Sequence, residues 1–219
     1  MRIRNVFFVG TFTALLSGLS AQAIDRGAES IESLRVGGFS YDYYDGMELV
    51  LASEVAVPNT YGKWAVIAEL GAGELSAADD ESFDQLNLTL GVKHYLSDLT
   101  SLSLLGAYAW YDGVDEFNIG SVLFSARQSL VYPEEPLVPY IRVTAGLQFI
   151  DPSWGSPARQ SDSYDQFIAE ILAGCEFRMN RELAFVFEAG LSESEALDNG
   201  GPDLSDGWLA RLSMQYDGF

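Results

Sequence analysis

The sequence predicts an all-β fold: a closed, up-and-down antiparallel transmembrane β-barrel of about ten strands. Three observations predict it. Apolar residues alternate with others at period two in stretch after stretch, far more clearly than at any helical period. The second face of those stretches carries Ser, Thr, Gly, Ala and Asn with isolated charges, not the dense Lys, Glu and Asp of a face washed by bulk water. Short and long polar links alternate between the stretches, as they do when every second connection lies on the same side of a membrane.

The first segment, "MRIRNVFFVGTFTALLSGLSAQA", has Arg2 and Arg4, an apolar stretch and then Ala21-Gln22-Ala23. This pattern predicts a cleaved secretory signal over 1–23. Residues 24–32 are expected to be a short linker and 33–219 the barrel domain. No run of about 18 apolar residues follows the signal, so no membrane-spanning helix is expected beyond it.

The barrel elements follow in order. Residues 33–44 change parity near Gly37-Gly38, which predicts a bulge or bend. A weaker strand is expected at 47–57. Residues 63–73 set Trp64, Val66, Ala68, Leu70 and Ala72 against Glu69, Gly71 and Gly73. In "QLNLTLGVKHY", 85–95, Leu86, Leu88, Leu90 and Val92 alternate with Asn87, Thr89, Gly91 and Lys93. In "SLSLLGAYAWY", 101–111, Leu102, Leu104, Gly106, Tyr108 and Trp110 share one parity. Alternation is weaker at 120–132, clear at 140–149, 166–178 and 183–192, and weaker again at 206–217. An eight-stranded version, with 33–56 poorly ordered or doubled over, is the alternative. Short links are expected at 96–99, 133–137 and 179–182, and long ones at 74–83, 112–119, 150–163 and 193–205. A tight turn at 44–46 breaks the order.

Alternation alone does not say which face meets which solvent. Ten strands delivering Leu, Phe, Ile and Val inward would overfill a closed barrel, whereas side chains facing lipid need no mutual packing. Trp64, Tyr95, Trp110, Tyr111, Tyr132 and Trp208 fall at strand ends, where Trp and Tyr anchor in the membrane–water interface. Strands of about ten residues match a tilted crossing of hydrocarbon. Closure leaves no backbone N–H unpaired in lipid. The apolar rows are therefore expected to face acyl chains, and the small polar rows to line a lumen.

Composition narrows the function. Against 12 Lys and Arg stand 32 Asp and Glu, and loss of Arg2 and Arg4 with the signal takes the formal charge from −20 to −22. Nucleic acid is not an expected partner, because phosphate binding needs a basic patch. One cysteine, Cys175, and one histidine, His94, allow neither an internal disulfide nor a zinc site of the His/Cys type. No cofactor is expected. Cys175 falls on the lipid-facing parity and reads as a small apolar residue.

Nine charges fall on the luminal parity: Glu69, Lys93, Arg127, Arg142, Glu170, Glu176, Arg178, Glu188 and Arg211. Their mixed signs predict a network that pairs across a filled interior and closes it. Alternatively they line a conduit and set its ion preference. "KHYLSD" places Ser97 and Asp98 near His94, but a hydrogen-bonded interfacial histidine is expected there rather than a triad. Acids cluster in the long links: Glu74, Asp79, Asp80 and Glu81; Asp112, Asp115 and Glu116; Glu193, Glu195, Asp198 and Asp203. None has EF-hand spacing, and no metal site is expected.

The signal "MRIRNVFFVG…SAQA", the alternating strands, the order of short turns and long loops, and the end "WLARLSMQYDGF" together resemble the small bacterial outer-membrane β-barrels of the OmpA/OmpX type. The likeness covers essentially the whole chain after the signal. It implies the outer membrane of a Gram-negative-type bacterium, loops facing outward, outer-membrane lipid as a partner, and insertion by the barrel-assembly machinery. A monomer is expected. In that family the terminal aromatic usually shares parity with the apolar residues before it. Here Trp208, Ala210, Leu212, Met214 and Tyr216 are even and Phe219 is odd, outside the usual register of the assembly signal. The expected role is structural or surface-interacting, through acidic external loops and an unidentified partner, without catalysis. A narrow, porin-like passive channel and a soluble periplasmic barrel binding an apolar ligand are the alternatives.

Overall fold

A computed structural model describes residues 30–41, 44–57, 64–77, 82–113, 117–133, 135–151, 163–180, 182–197 and 206–218. The expected signal, most of the linker and Phe219 lie outside the described residues. Ten strands follow in chain order: β1 (Ser30–Tyr41), β2 (Tyr44–Ala56), β3 (Trp64–Ala77), β4 (Ser82–Tyr95), β5 (Thr100–Asp112), β6 (Phe117–Ser129), β7 (Leu137–Asp151), β8 (Tyr164–Arg178), β9 (Leu183–Ala196) and β10 (Gly207–Gly218). No helix occurs among the described residues. Each strand pairs antiparallel with its neighbour in sequence, and β1 pairs with β10, so the sheet closes into an up-and-down barrel. The ten-strand reading therefore holds over the eight-strand one, and β1 starts three residues before the expected boundary at 33.

Two expectations near the start of the barrel are corrected. β1 has no bulge: its register runs unbroken from Ser30↔Gly218 to Tyr41↔Gly207 on one side, and from Ser30↔Val55 to Ser40↔Asp45 on the other. The parity change is chemical. Leu34 and Val36 lie exposed on the outer face, whereas Phe39 and Tyr41 line the interior, where their rings stack at 4.8 Å. The tight turn is not at 44–46 either. Those residues open β2, and only 42–43 separate it from β1.

The strands run 12–15 residues, longer than the alternation suggested. Apart from three residues at the short-turn end of each of β1 and β7, most of the extra length lies at the long-link end, where polar residues continue the ladder beyond the apolar belt. Asp84↔Asp112 and Glu74↔Asp84, for example, are paired positions.

Side-chain direction follows the two-residue period around the whole ring. Outward rows include Leu104 (53 % exposed), Val122 (52 %), Phe187 (54 %) and Leu212 (55 %). Inward rows bury Ser101, Ser121, Ser125, Thr144, Gln166, Glu176 and Glu188 beside Val50, Val138 and Leu172. The interior is a mixed polar and apolar filling, the reverse of an oil-cored soluble barrel. At the short-turn end, Asn180 Oδ1 accepts the Leu183 N–H at 2.7 Å and Ser97 Oγ accepts the Thr100 N–H at 3.1 Å, so side chains supply the acceptors that tight turns leave missing.

The outward rows generate a direct test. Val122→Arg should cost about 2–4 kcal/mol of stability in lipid, measured by urea unfolding from vesicles, because mid-strand charge meets hydrocarbon. At a water-exposed position the same change would cost next to nothing.

Candidate functional site

The lumen is built from inward-facing charges. The nine expected ones, Glu69, Lys93, Arg127, Arg142, Glu170, Glu176, Arg178, Glu188 and Arg211, all border interior cavities. Arg35 on β1 and Glu48 and Glu54 on β2 join them. Within the strands the set is balanced: Arg35, Lys93, Arg127, Arg142, Arg178 and Arg211 face Glu48, Glu54, Glu69, Glu170, Glu176 and Glu188, with Asp98 of the 96–99 turn added at the short-turn mouth. The chain's large acidic excess therefore lies elsewhere.

Most of these charges pair with a strand two places away around the ring. Arg35 Nη2 (β1) meets Glu69 (β3) at 3.1 Å and Glu48 (β2) at 3.9 Å. Lys93 (β4) meets Glu54 (β2) at 2.8 Å, and Tyr95 donates to the same carboxylate. Arg127 (β6) meets Glu176 (β8) at 3.0 Å, and Arg178 reaches the other oxygen at 2.7 Å. Arg142 (β7) meets Glu188 (β9) at 2.7 Å, and the Tyr140 hydroxyl donates to Glu188 at 2.6 Å. The Arg127 guanidinium also lies 3.7 Å from the centre of the Tyr140 ring, in cation–π contact.

Reaching over an intervening strand needs clearance, and glycine provides it. In the ladder Tyr140↔Gly174↔Glu188, a Cβ on Gly174 would fall 2.3 Å from the Tyr140 ring. In the same way Asn87 passes over Gly71 to donate to Glu48 at 3.1 Å, and a Cβ there would fall 2.3 Å from its amide. Gly174 and Gly71 are thus the floor on which these two bridges lie.

Among the described residues, the bridges separate three cavities in file, of about 250, 150 and 140 Å³ from the long-link end to the short-turn end. Arg35, Glu69 and Arg142 border both the first and the second. Glu54, Lys93 and Arg127 border both the second and the third. The first is roofed by aromatics: Tyr111 stacks on Phe117 at 4.3 Å, Phe83 meets Phe117 edge-on at 5.5 Å, and Tyr44 of β2 packs against Ile150 of β7, across the ring.

The expected interface aromatics divide. Trp64, Trp110, Tyr132 and Trp208 are exposed on the outside. Tyr95 and Tyr111 are corrected: both turn inward, Tyr95 to Glu54 and Tyr111 into the first cavity. Their odd parity is the luminal one, and it sets the side-chain direction at a strand end as it does at mid-strand. His94 faces outward and stacks on Trp64 at 4.2 Å, while Ser97 is engaged in its turn. Outside, Asp45, Glu74, Asp84, Asp112, Asp151, Glu193 and Glu195 are exposed around the long-link end. The remaining loop acids, Asp79, Asp80, Glu81, Asp115, Glu116, Asp198 and Asp203, lie outside the described residues. No cluster of potential metal ligands forms among the described residues.

Ring closure, an outward apolar belt and a packed polar lumen make this the fold of the small bacterial outer-membrane β-barrels. The β domain of the Bordetella autotransporter BrkA superposes with a TM-score of 0.52 at 9 % identity, over 88 % of this chain and 98 % of that one. The translocator domain of the autotransporter NalP from Neisseria meningitidis gives 0.49 at 12 % identity, over 98 % and 95 %. The N-terminal β-barrel domain of Pseudomonas aeruginosa OprF gives 0.42 at 17 % identity, over 86 % and 97 %. No family model and no curated protein matches the sequence.

The Arg142–Glu188 bridge predicts strong coupling. Glu188→Met alone should destabilise the barrel by about 2–3 kcal/mol, below the ~3–5 kcal/mol of fully buried pairs because Arg142 keeps 24 % of its side chain exposed. The double replacement with Arg142→Met should recover most of that loss in a urea-unfolding cycle.

Proposed function

We propose that this chain is an exported outer-membrane barrel of a Gram-negative-type bacterium with a structural or surface-interaction role. Its lumen is shut at rest, its acidic rim is turned outward, it works as a monomer in outer-membrane lipid, and it catalyses no reaction. The observation that carries this reading is the pair of luminal charge layers. Each consists of ion pairs with additional hydrogen bonds or a cation–π contact, the arrangement that makes a buried charge tolerable and its separation costly. The exposed rows around Leu104, Phe187 and Leu212 support membrane residence, since an apolar belt of that extent is foreign to soluble monomers. The acids around the long-link end support an outward surface that repels anionic partners and attracts cationic ones.

A narrow passive channel is the second reading, favoured by the three cavities standing in file along the barrel. Planar-bilayer recording separates the two. The purified barrel, shown to be folded by its mobility shift on an unheated SDS gel, should leave a flat baseline under applied voltage. Discrete conductance steps would replace the closed reading with the channel.

A further inference from the structure

The first cavity holds the two luminal charges that the bridges leave over. Glu170 on β8 and Arg211 on β10 both line it, and neither makes a direct ion pair or hydrogen bond among the described residues. They stand on either side of β9, with Glu170 opposite Ser192 and Arg211 opposite Glu188 in the two ladders. Four buried polar atoms around it also lack partners among the described residues: Arg35 Nε and Arg142 Nε, on residues of the bridges beneath the cavity, and two outside those bridges. Ser192 Oγ belongs to a residue only 2 % exposed. Gln85 Oε1, on a residue 6 % exposed, lies on the opposite wall and borders the cavity. Such orphans are uncommon in folded proteins and call for something that satisfies them. Beside Gln85 stands the Tyr111–Phe117 stack.

The chemistry of the vacant partners selects the ligand. A simple anion would meet Glu170 as well as Arg211, and a simple cation would meet Arg211 as well as Glu170. An apolar molecule would strand both charges in a low-dielectric space. A molecule carrying both charges at one end and an aromatic group with a hydrogen-bond donor at the other complements Arg211, Glu170, the aromatic stack and Gln85 together.

We propose that this cavity binds a small zwitterion of the aromatic α-amino-acid class. Its carboxylate lies on Arg211, its ammonium on Glu170, and its ring against Tyr111 and Phe117 with its donor toward Gln85. This goes beyond the role proposed above and stands whether or not the lumen conducts.

Titration calorimetry of the folded barrel in detergent with L-tyrosine tests it. Saturable binding is expected. Tyramine, which lacks the carboxylate, and 3-(4-hydroxyphenyl)propionate, which lacks the ammonium, should each bind at least about tenfold more weakly, the cost of one lost charge-assisted contact. Arg211→Gln and Glu170→Gln should weaken L-tyrosine by a similar factor. If either variant fails to give the folded gel band, the analogues on the wild-type barrel decide the matter. No binding of L-tyrosine, equal binding of the one-charge analogues, or folded variants that bind as the wild type would each overturn the proposal.

Discussion

Where β1 meets β10, a strand from each end of the described chain lies alongside the other, and the hydrogen bonds of that seam carry the architecture. Inside hydrocarbon a backbone amide has no water to turn to, so a sheet with two open edges is not an option. The seam runs from Ser30↔Gly218 to Tyr41↔Gly207 without a slip. Its upper end is tight: Gly207 has φ +156°, and a Cβ there would fall 2.0 Å from the Ser40 carbonyl oxygen. Once the ring is closed, the two-residue period assigns every side chain to lipid or lumen, and a one-residue shift anywhere would exchange the two.

Closure also sets the problem that the interior solves. A ten-stranded ring encloses too little space for bulk water and too much for small side chains alone. The filling is made of long charged and polar groups paired over an intervening strand, with Tyr140 crossing Gly174 to donate to Glu188 and Asn87 crossing Gly71 to donate to Glu48. Equal numbers of acids and bases on the luminal face of the strands leave the core near neutrality, in a chain whose formal charge is −20. The same residues that tie every second strand together separate the lumen into chambers, so wall stability and the partition of the interior depend on one set of contacts.

The barrel was legible in the sequence because lipid makes alternation unusually clean: "SLSLLGAYAWY" sorts into outer Leu102, Leu104, Tyr108 and Trp110 and inner Ser101, Ser103 and Ala107, with Leu105 and Tyr111 the large side chains that turn inward. The luminal charges on β3 to β10 were legible for the same reason. Arg35, Glu48 and Glu54 were not, because parity on β1 and β2 was obscured by Phe39 and Tyr41, apolar residues that point inward to the aromatic roof. The apolar alternation ends before the strands do, because the ladder continues into polar sequence once it leaves hydrocarbon. Tyr95 and Tyr111 show the limit of positional reasoning: an aromatic at a strand end serves the interface only if its parity also faces outward. The bridges over Gly174 and Gly71 involve residues 48 and 39 positions apart in sequence, and only the closed register brings them together.

The central claim is that the apolar rows meet acyl chains. Nitroxide labels placed singly at Leu104, Gly106, Val122 and Phe124, in a Cys175→Ser background reconstituted into vesicles, test it most directly through collisions with molecular oxygen and with a water-soluble nickel chelate. The account predicts that oxygen relaxes all four labels far more effectively than nickel, and that a label at Asp112 shows the opposite order. Nickel dominating at Leu104 and Val122 would mean that those rows face water, and would contradict it.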